Sequence, residues 1–197
     1  MDISDDRCSL SLGTMKWSEL HIARYLDQEL ELLDEKNYPH GIAIASLIET
    51  NDAYFIFGER WNTSAGKDVW QISMIWWTLQ PDEAIVDSYR WFYDHILREL
   101  HEEVWIGDQY IFDNKIVGIQ RMQNGWIGFI YYLRLNLSKD QCMYMFEQEN
   151  DEEFQALKFV AKTEVIGFLK DLCFKDWILR RTMGLQIDYL EEIFRNT

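Results

Sequence analysis

Proline is close to missing from this chain: its 197 residues hold two, beside ten glycines. That scarcity leaves little room for disordered linkers. With 48% apolar residues, it predicts a single domain over 1–197, long enough to bury a substantial core. Cations are scarce too. Lys plus Arg total 19 against 34 Asp plus Glu, a formal charge of −15. Neither nucleic acid nor an anionic membrane is an expected partner of such a surface. A phosphorylated small molecule would need a local cation, and a divalent metal is the obvious one. The three cysteines, Cys8, Cys142 and Cys173, form no CxxC pair and are expected to be reduced, buried thiols. The most apolar segment, "WIGFIYYL", is far too short to span a bilayer. The acidic start "MDISDDRC" lacks the apolar stretch of a signal peptide, so the expected location is cytoplasmic.

What the chain does have is aromatic bulk: nine Trp, ten Tyr and eleven Phe. Residues 17–36 place Leu20, Tyr25, Leu26, Leu30 and Leu33 at helical spacing and predict an amphipathic helix. "GIAIASLIETNDAYFIFGER" predicts a hairpin turning at Asn51-Asp52, followed by a polar loop at 61–67. "DVWQISMIWWTL" predicts one strand, and Pro81-Asp82 opens a helix running to about Val104. "IVGIQRMQNGWIGFIYYLRLNLS" predicts a second hairpin around Asn124-Gly125. A short helix with Ser138 as N-cap follows, then the strand "FQALKFV" and helices near 162–172 and 185–195. This order describes an α/β protein, a mixed sheet covered by helices.

Within the long helix, "RELHEEV" carries Glu99, Glu102 and Glu103. At about 100° per residue, with Ile96 as origin, Ile85, Tyr89, Phe92, Tyr93 and Leu100 lie within about 60° and form the buried stripe. Glu103 falls inside it, near about −20°. Glu99 lies at its edge, and Glu102 points to solvent near about −120°. A carboxylate on an apolar stripe is costly unless paired or metal-bound, and Glu99 and Glu103, four residues apart, repel one another. Arg98 is expected to pair with Glu102 and to point away from the inner two. An oxygen-seeking cation, Mg²⁺ or Mn²⁺, would resolve the conflict. A solvated acidic helix end is the plainer alternative.

"RELHEEVWI", 98–106, resembles the core of the Nudix box, GX5EX7REUXEEXGU, with matches at Arg98, Glu99, Leu100, Glu102, Glu103 and Ile106. The hairpin before it and "EFQALKFVAKTEVIGFL" after it resemble the family's flanking elements, so the resemblance spans about 40–172, with helical extensions at 17–36 and 173–197. It implies a Nudix-like α/β/α sandwich and Mg²⁺- or Mn²⁺-dependent hydrolysis of a nucleoside diphosphate linked to a further moiety. It also implies catalytic roles for Arg98, Glu99, Glu102 and Glu103. The three glutamates would be metal ligands, joined by a later acidic residue, Glu152 or more specifically Glu153. Three positions depart from the pattern: Ala84 and Arg90 replace its first glycine and glutamate, and Trp105 replaces its late glycine. A register with Glu83 as that glutamate puts it about 24 Å from Glu99 along an unbroken helix. Trp76 and Trp77 stand where the family has glycines that open the backbone.

Elsewhere, Trp61, Trp70, Trp76, Trp77 and Trp126 could stack on a base, although aromatic residues at strand spacing more often fill a core. Arg60 and Lys67 are candidates to meet a phosphate. His95 and His101 form no zinc motif, and no Walker, GxGxxG or GxSxG pattern occurs. Three readings remain open. One is a metal-dependent hydrolase acting on a nucleotide-type small molecule. Another is a catalytically degenerate module that binds a nucleotide or a protein partner without turnover. The third is a purely structural interaction domain whose acidic surface meets a basic partner; a homodimer or a protein partner is compatible with each.

Overall fold

The computed structural model describes residues 2–4, 7–9, 42–60, 72–73, 75–78, 89–121, 127–148, 154–175, 187–192 and 194–195. The expected helix at 17–36 and loop at 61–67 lie outside them, as do Glu83, Ala84, Glu152 and Glu153. The described strands are β1 (Asp2–Ser4), β2 (Arg7–Ser9), β3 (Ile42–Glu49), β4 (Tyr54–Arg60), β5 (Ile72–Ser73), β6 (Ile75–Thr78), β7 (Ile111–Arg121), β8 (Ile127–Leu135) and β9 (Phe154–Ala161). The helices are α1 (Tyr89–Val104), α2 (Lys139–Gln148) and α3 (Val165–Lys175), with a further helical segment at 187–192. The β1–β2 pair was not anticipated from sequence.

β3 and β8 form the centre of a mixed sheet, running parallel from Ile42↔Ile127 to Glu49↔Arg134. Both read as near-continuous apolar runs because helices cover both faces. Alternation divides those faces. Ile42, Ile44 and Ile48 join Phe129, Tyr131 and Leu133 beneath α1 and α2. Ala45, Leu47, Phe55, Phe57, Ile130 and Tyr132 meet Val165, Leu169, Ile187 and Leu190 on the opposite side. The result is an α/β/α sandwich.

The first expected hairpin forms but soon splays: β3 pairs with β4 only at Ile48↔Ile56 and Glu49↔Phe55. Two short strands enter the opening. β5 pairs with β4 at Gly58↔Ser73 and Glu59↔Ile72, and β6 pairs with β3 from Ala43↔Thr78 to Ser46↔Ile75. The segment expected as one strand is therefore two, because no single straight strand can follow two diverging partners. β9 completes the outer side of β4. The second hairpin, β7–β8, forms as expected and carries register shifts between Ile111/Asp113 and Ile116/Gly118. Ser138 caps α2 reciprocally: Gln141 N–H donates to Ser138 Oγ at 3.3 Å, and Ser138 N–H donates to Gln141 Oε1 at 2.9 Å.

One charge is buried away from α1. Glu49, 4% exposed, accepts a hydrogen bond from the Tyr132 hydroxyl, and Lys162 Nζ sits 3.0 and 3.3 Å from its two oxygens. Both carboxylate oxygens are thereby satisfied, which is what makes the burial tolerable. Burial, with the hydrogen bond to Glu49 behind it, raises the Tyr132 hydroxyl well above the ordinary tyrosine range. Burial likewise pushes the Cys142 thiol up to about 12. Groups with raised folded-state values stabilise the fold below their unfolded values, about 8.5 for Cys and 10 for Tyr, and that stabilisation fades as pH rises. We expect the unfolding free energy from urea titration to hold up to about pH 8.5 and then fall by up to about 1.4 kcal/mol per group per pH unit. In Cys142→Val the decline should begin only near pH 10. An unchanged onset in that variant would show that the thiol is not the first group to titrate.

Candidate functional site

α1 lies on the sheet with Ile96, Leu100 and Val104 fully buried, and Ile106 follows them into the same core. The helical spacing read from sequence places the glutamates where expected. Glu103 is 6% exposed, the Glu99 side chain 17% and the Glu102 side chain 60%. Glu99 and Glu103 are the sheltered pair, and Glu102 stands on the outer side. Among the described residues, no three His, Cys, Asp or Glu side chains converge closely enough to hold a metal ion.

Arg98 does not behave as its helical angle predicts. Its Nη2 lies 2.7 Å from Glu99 Oε1, while its Nε stays 3.9 Å from Glu102 Oε1. The guanidinium thus turns inward, against the expectation that it would leave the inner glutamates alone. The cause lies one turn back. Arg98 Nη2 also donates to His95 Nδ1 at 3.0 Å, and the His95 side chain is 3% exposed. A guanidinium has no lone pair, so Nδ1 must accept, and the imidazole is neutral with its proton on Nε2. His95 Nε2 lies 3.9 Å from Glu99 Oε1. Sequence reading treated His95 only as a failed zinc motif. Its signal was the i, i+3 relation to Arg98 on the helix's inner side.

The end of α1 accounts for one departure from the Nudix pattern. Trp105 has φ 60, the left-handed conformation. Its N–H donates to the His101 carbonyl at 3.1 Å, and the Ile106 N–H reaches the Leu100 carbonyl at 3.2 Å. This is an αL helix stop, usually given to glycine, and a residue with a Cβ adopts it at about 1–2 kcal/mol. The backbone therefore makes the turn that the pattern's glycine favours, and the substitution changes the side chain alone. The indole packs beside His101, ring centroids 5.3 Å apart, and its buried Nε1 has no hydrogen-bond partner among the described residues. Below the turn, Tyr93 Oη donates to Asp108 Oδ1 at 2.9 Å and ties the helix to the next segment.

Of the other expected site residues, Arg60 ends β4 opposite Phe154, while Lys67 and Glu153 lie outside the described residues. Trp76 and Trp77 are in β6, in register with Ala45 and Ile44. No described helix is long and apolar enough to cross a membrane.

No protein-family model and no curated protein sequence matches the chain. Solved structures do. A bifunctional NMN adenylyltransferase/ADP ribose pyrophosphatase from Francisella tularensis matches with a TM-score of 0.51 and 17% identity. That match covers 89% of this chain, which spans only 46% of the Francisella protein. A NUDIX hydrolase from Nitrosomonas europaea matches at TM-score 0.43 and 15% identity, over 73% of this chain and 91% of its own. The NUDIX domain of Shewanella oneidensis NrtR, solved with ADP ribose, matches at 0.43 and 12%, over 71% and 85%. An identity of 17% speaks to architecture alone: the α/β/α sandwich with a mixed sheet is a fold shared with the Francisella structure.

Proposed function

We propose that the chain is a divergent Nudix hydrolase that takes a nucleoside diphosphate linked to a further moiety, with Mg²⁺ or Mn²⁺ as cofactor. The observation that carries this reading is the sheltered pair Glu99 and Glu103 on the sheet side of α1, inside a sandwich of this type. Two carboxylates fit such an ion. Mg²⁺ is commonly held by one or two carboxylates together with substrate phosphates and water, so a preformed cage of three protein ligands is not required. Glu99 and Glu103 would hold the cation, with Glu102 left on the solvent side and Glu153 a candidate further ligand. A bound divalent ion would lower the pKa of an attacking water and offset charge on the diphosphate.

The chain's own residues do the rest. Arg98 fixes Glu99 through Oε1, and the second oxygen takes no hydrogen bond from a described residue. That oxygen is left for the cation or for a proton from water. Arg60 and Lys67 are the candidates to meet phosphate. In a chain of charge −15 they are too few to hold a diphosphate alone. The alternative reading, a module that binds a nucleotide or a protein partner without turnover, is supported by Trp105, Trp76 and Trp77 at positions the family keeps small. Ligand without metal decides the matter. ADP-ribose at about 100 times its dissociation constant should add about 2.7 kcal/mol with Mn²⁺ present. That corresponds to a thermal shift of about 5–10 °C. Without metal there should be none, and a shift that ignores metal would count against the proposal. Release of a nucleoside monophosphate separates enzyme from module.

A further inference from the structure

We infer that His95 is a positioning residue of this site, setting the orientation of Glu99 through Arg98. The inference rests on the proposed function. Arg98 Nη2 has two hydrogens, and the geometry spends both: one on His95 Nδ1 at 3.0 Å, one on Glu99 Oε1 at 2.7 Å. His95 is the buried end of this relay, its side chain 3% exposed. Arg98 is the more exposed member, 44% exposed and within 3.9 Å of a competing carboxylate on Glu102, itself 60% exposed. A long guanidinium side chain divides its time between two such acceptors unless something fixes it. The imidazole acceptor pulls the guanidinium inward. Glu99 is then held by one oxygen, with the other presented in one direction. A pre-oriented carboxylate binds a cation more tightly than a rotating one, and removal of such an outer partner typically costs about 10–100-fold in metal affinity. His95 lies outside the residues that the Nudix pattern specifies, so this is a feature of this chain.

The test measures Mn²⁺ affinity of the full chain by paramagnetic titration, with the Arg98 guanidinium resonances recorded in the metal-free protein. His95→Leu removes the acceptor. His95→Gln keeps polarity but moves the acceptor to the place of Nε2. His95→Asn restores an acceptor near the place of Nδ1. We expect His95→Leu and His95→Gln to bind Mn²⁺ about 10–100-fold more weakly. Both should show a freely rotating Arg98 guanidinium, and His95→Asn should stay close to wild type in both readouts. In an Arg98→Ala background, His95→Leu should have no further effect on affinity. Wild-type affinity in both His95→Leu and His95→Gln would overturn the inference while leaving the proposed function standing. Equal losses in all three variants would assign His95 a packing role and overturn it as well. A wild-type chain that binds no Mn²⁺ would overturn the proposed function and this inference with it.

Discussion

Glu103→Gln should lower turnover of a nucleoside diphosphate substrate by about 10²–10³-fold, the usual cost of removing one charge-stabilising group from a reacting centre. It should also remove tight Mn²⁺ binding and leave the metal-free protein as stable as before, or slightly more so. The reasoning is electrostatic. Glu103 is 6% exposed and one turn from Glu99, so two acidic side chains share one sheltered helix face, with the Arg98 guanidinium on the Oε1 of Glu99. An i, i+4 like-charge pair costs about 0.2–0.5 kcal/mol, and the amide relieves it at nearly constant shape. A cation gains from both carboxylates and loses one of them. Loss of the metal-free fold in Glu103→Gln would instead make Glu103 a structural partner in the α1–sheet interface. Turnover unchanged would remove it from the site.

The largest stability effect should come from a single methyl group between β4 and β9. At Gly58 in β4, an added Cβ would stand 2.2, 2.4 and 2.5 Å from three ring carbons of Phe154. Phe154 is 1% exposed and opens β9, where the register with β4 shifts between Glu59 and Arg60. A ring packed into the core on all sides cannot simply rotate away. Gly58→Ala should therefore cost about 3 kcal/mol, the upper end for overpacking, and lower Tm by about 6–12 °C. The cause is checked by a double-mutant cycle with Phe154→Leu. The alanine should cost much less once the ring is gone. Additive effects would point to the backbone of β4 rather than to contact with the ring.

The sequence was most informative where one element's periodicity decided the outcome. The faces of α1, including the burial of a glutamate inside the apolar stripe, followed from 3.6-residue geometry, because a helix fixes side-chain directions whatever it packs against. The Ser138 cap was equally local. What stayed hidden depended on partners far along the chain. The division of 72–78 into β5 and β6 follows from the divergence of β3 and β4, which no local pattern encodes. Glu49 looks like a hairpin-end residue, and its burial depends on Tyr132 and on Lys162, 113 residues later. The inward turn of Arg98 escaped a Cβ-direction argument because a guanidinium reaches several ångströms sideways, and the buried acceptor on His95 decides where it settles. Trp105 taught the reverse lesson. Trp105 stands in place of the pattern's glycine, yet the chain keeps the left-handed turn and bears its strain.

The central claim is that Glu99 and Glu103 form a divalent-cation site, and its most direct test is anomalous diffraction from crystals of the chain equilibrated with Mn²⁺ and a non-hydrolysable nucleoside diphosphate. The account predicts a manganese peak beside the carboxylates of both Glu99 and Glu103, with Arg98 still on Glu99 Oε1. Nucleotide bound with no peak beside these two residues, or manganese held only by exposed surface carboxylates, would contradict it.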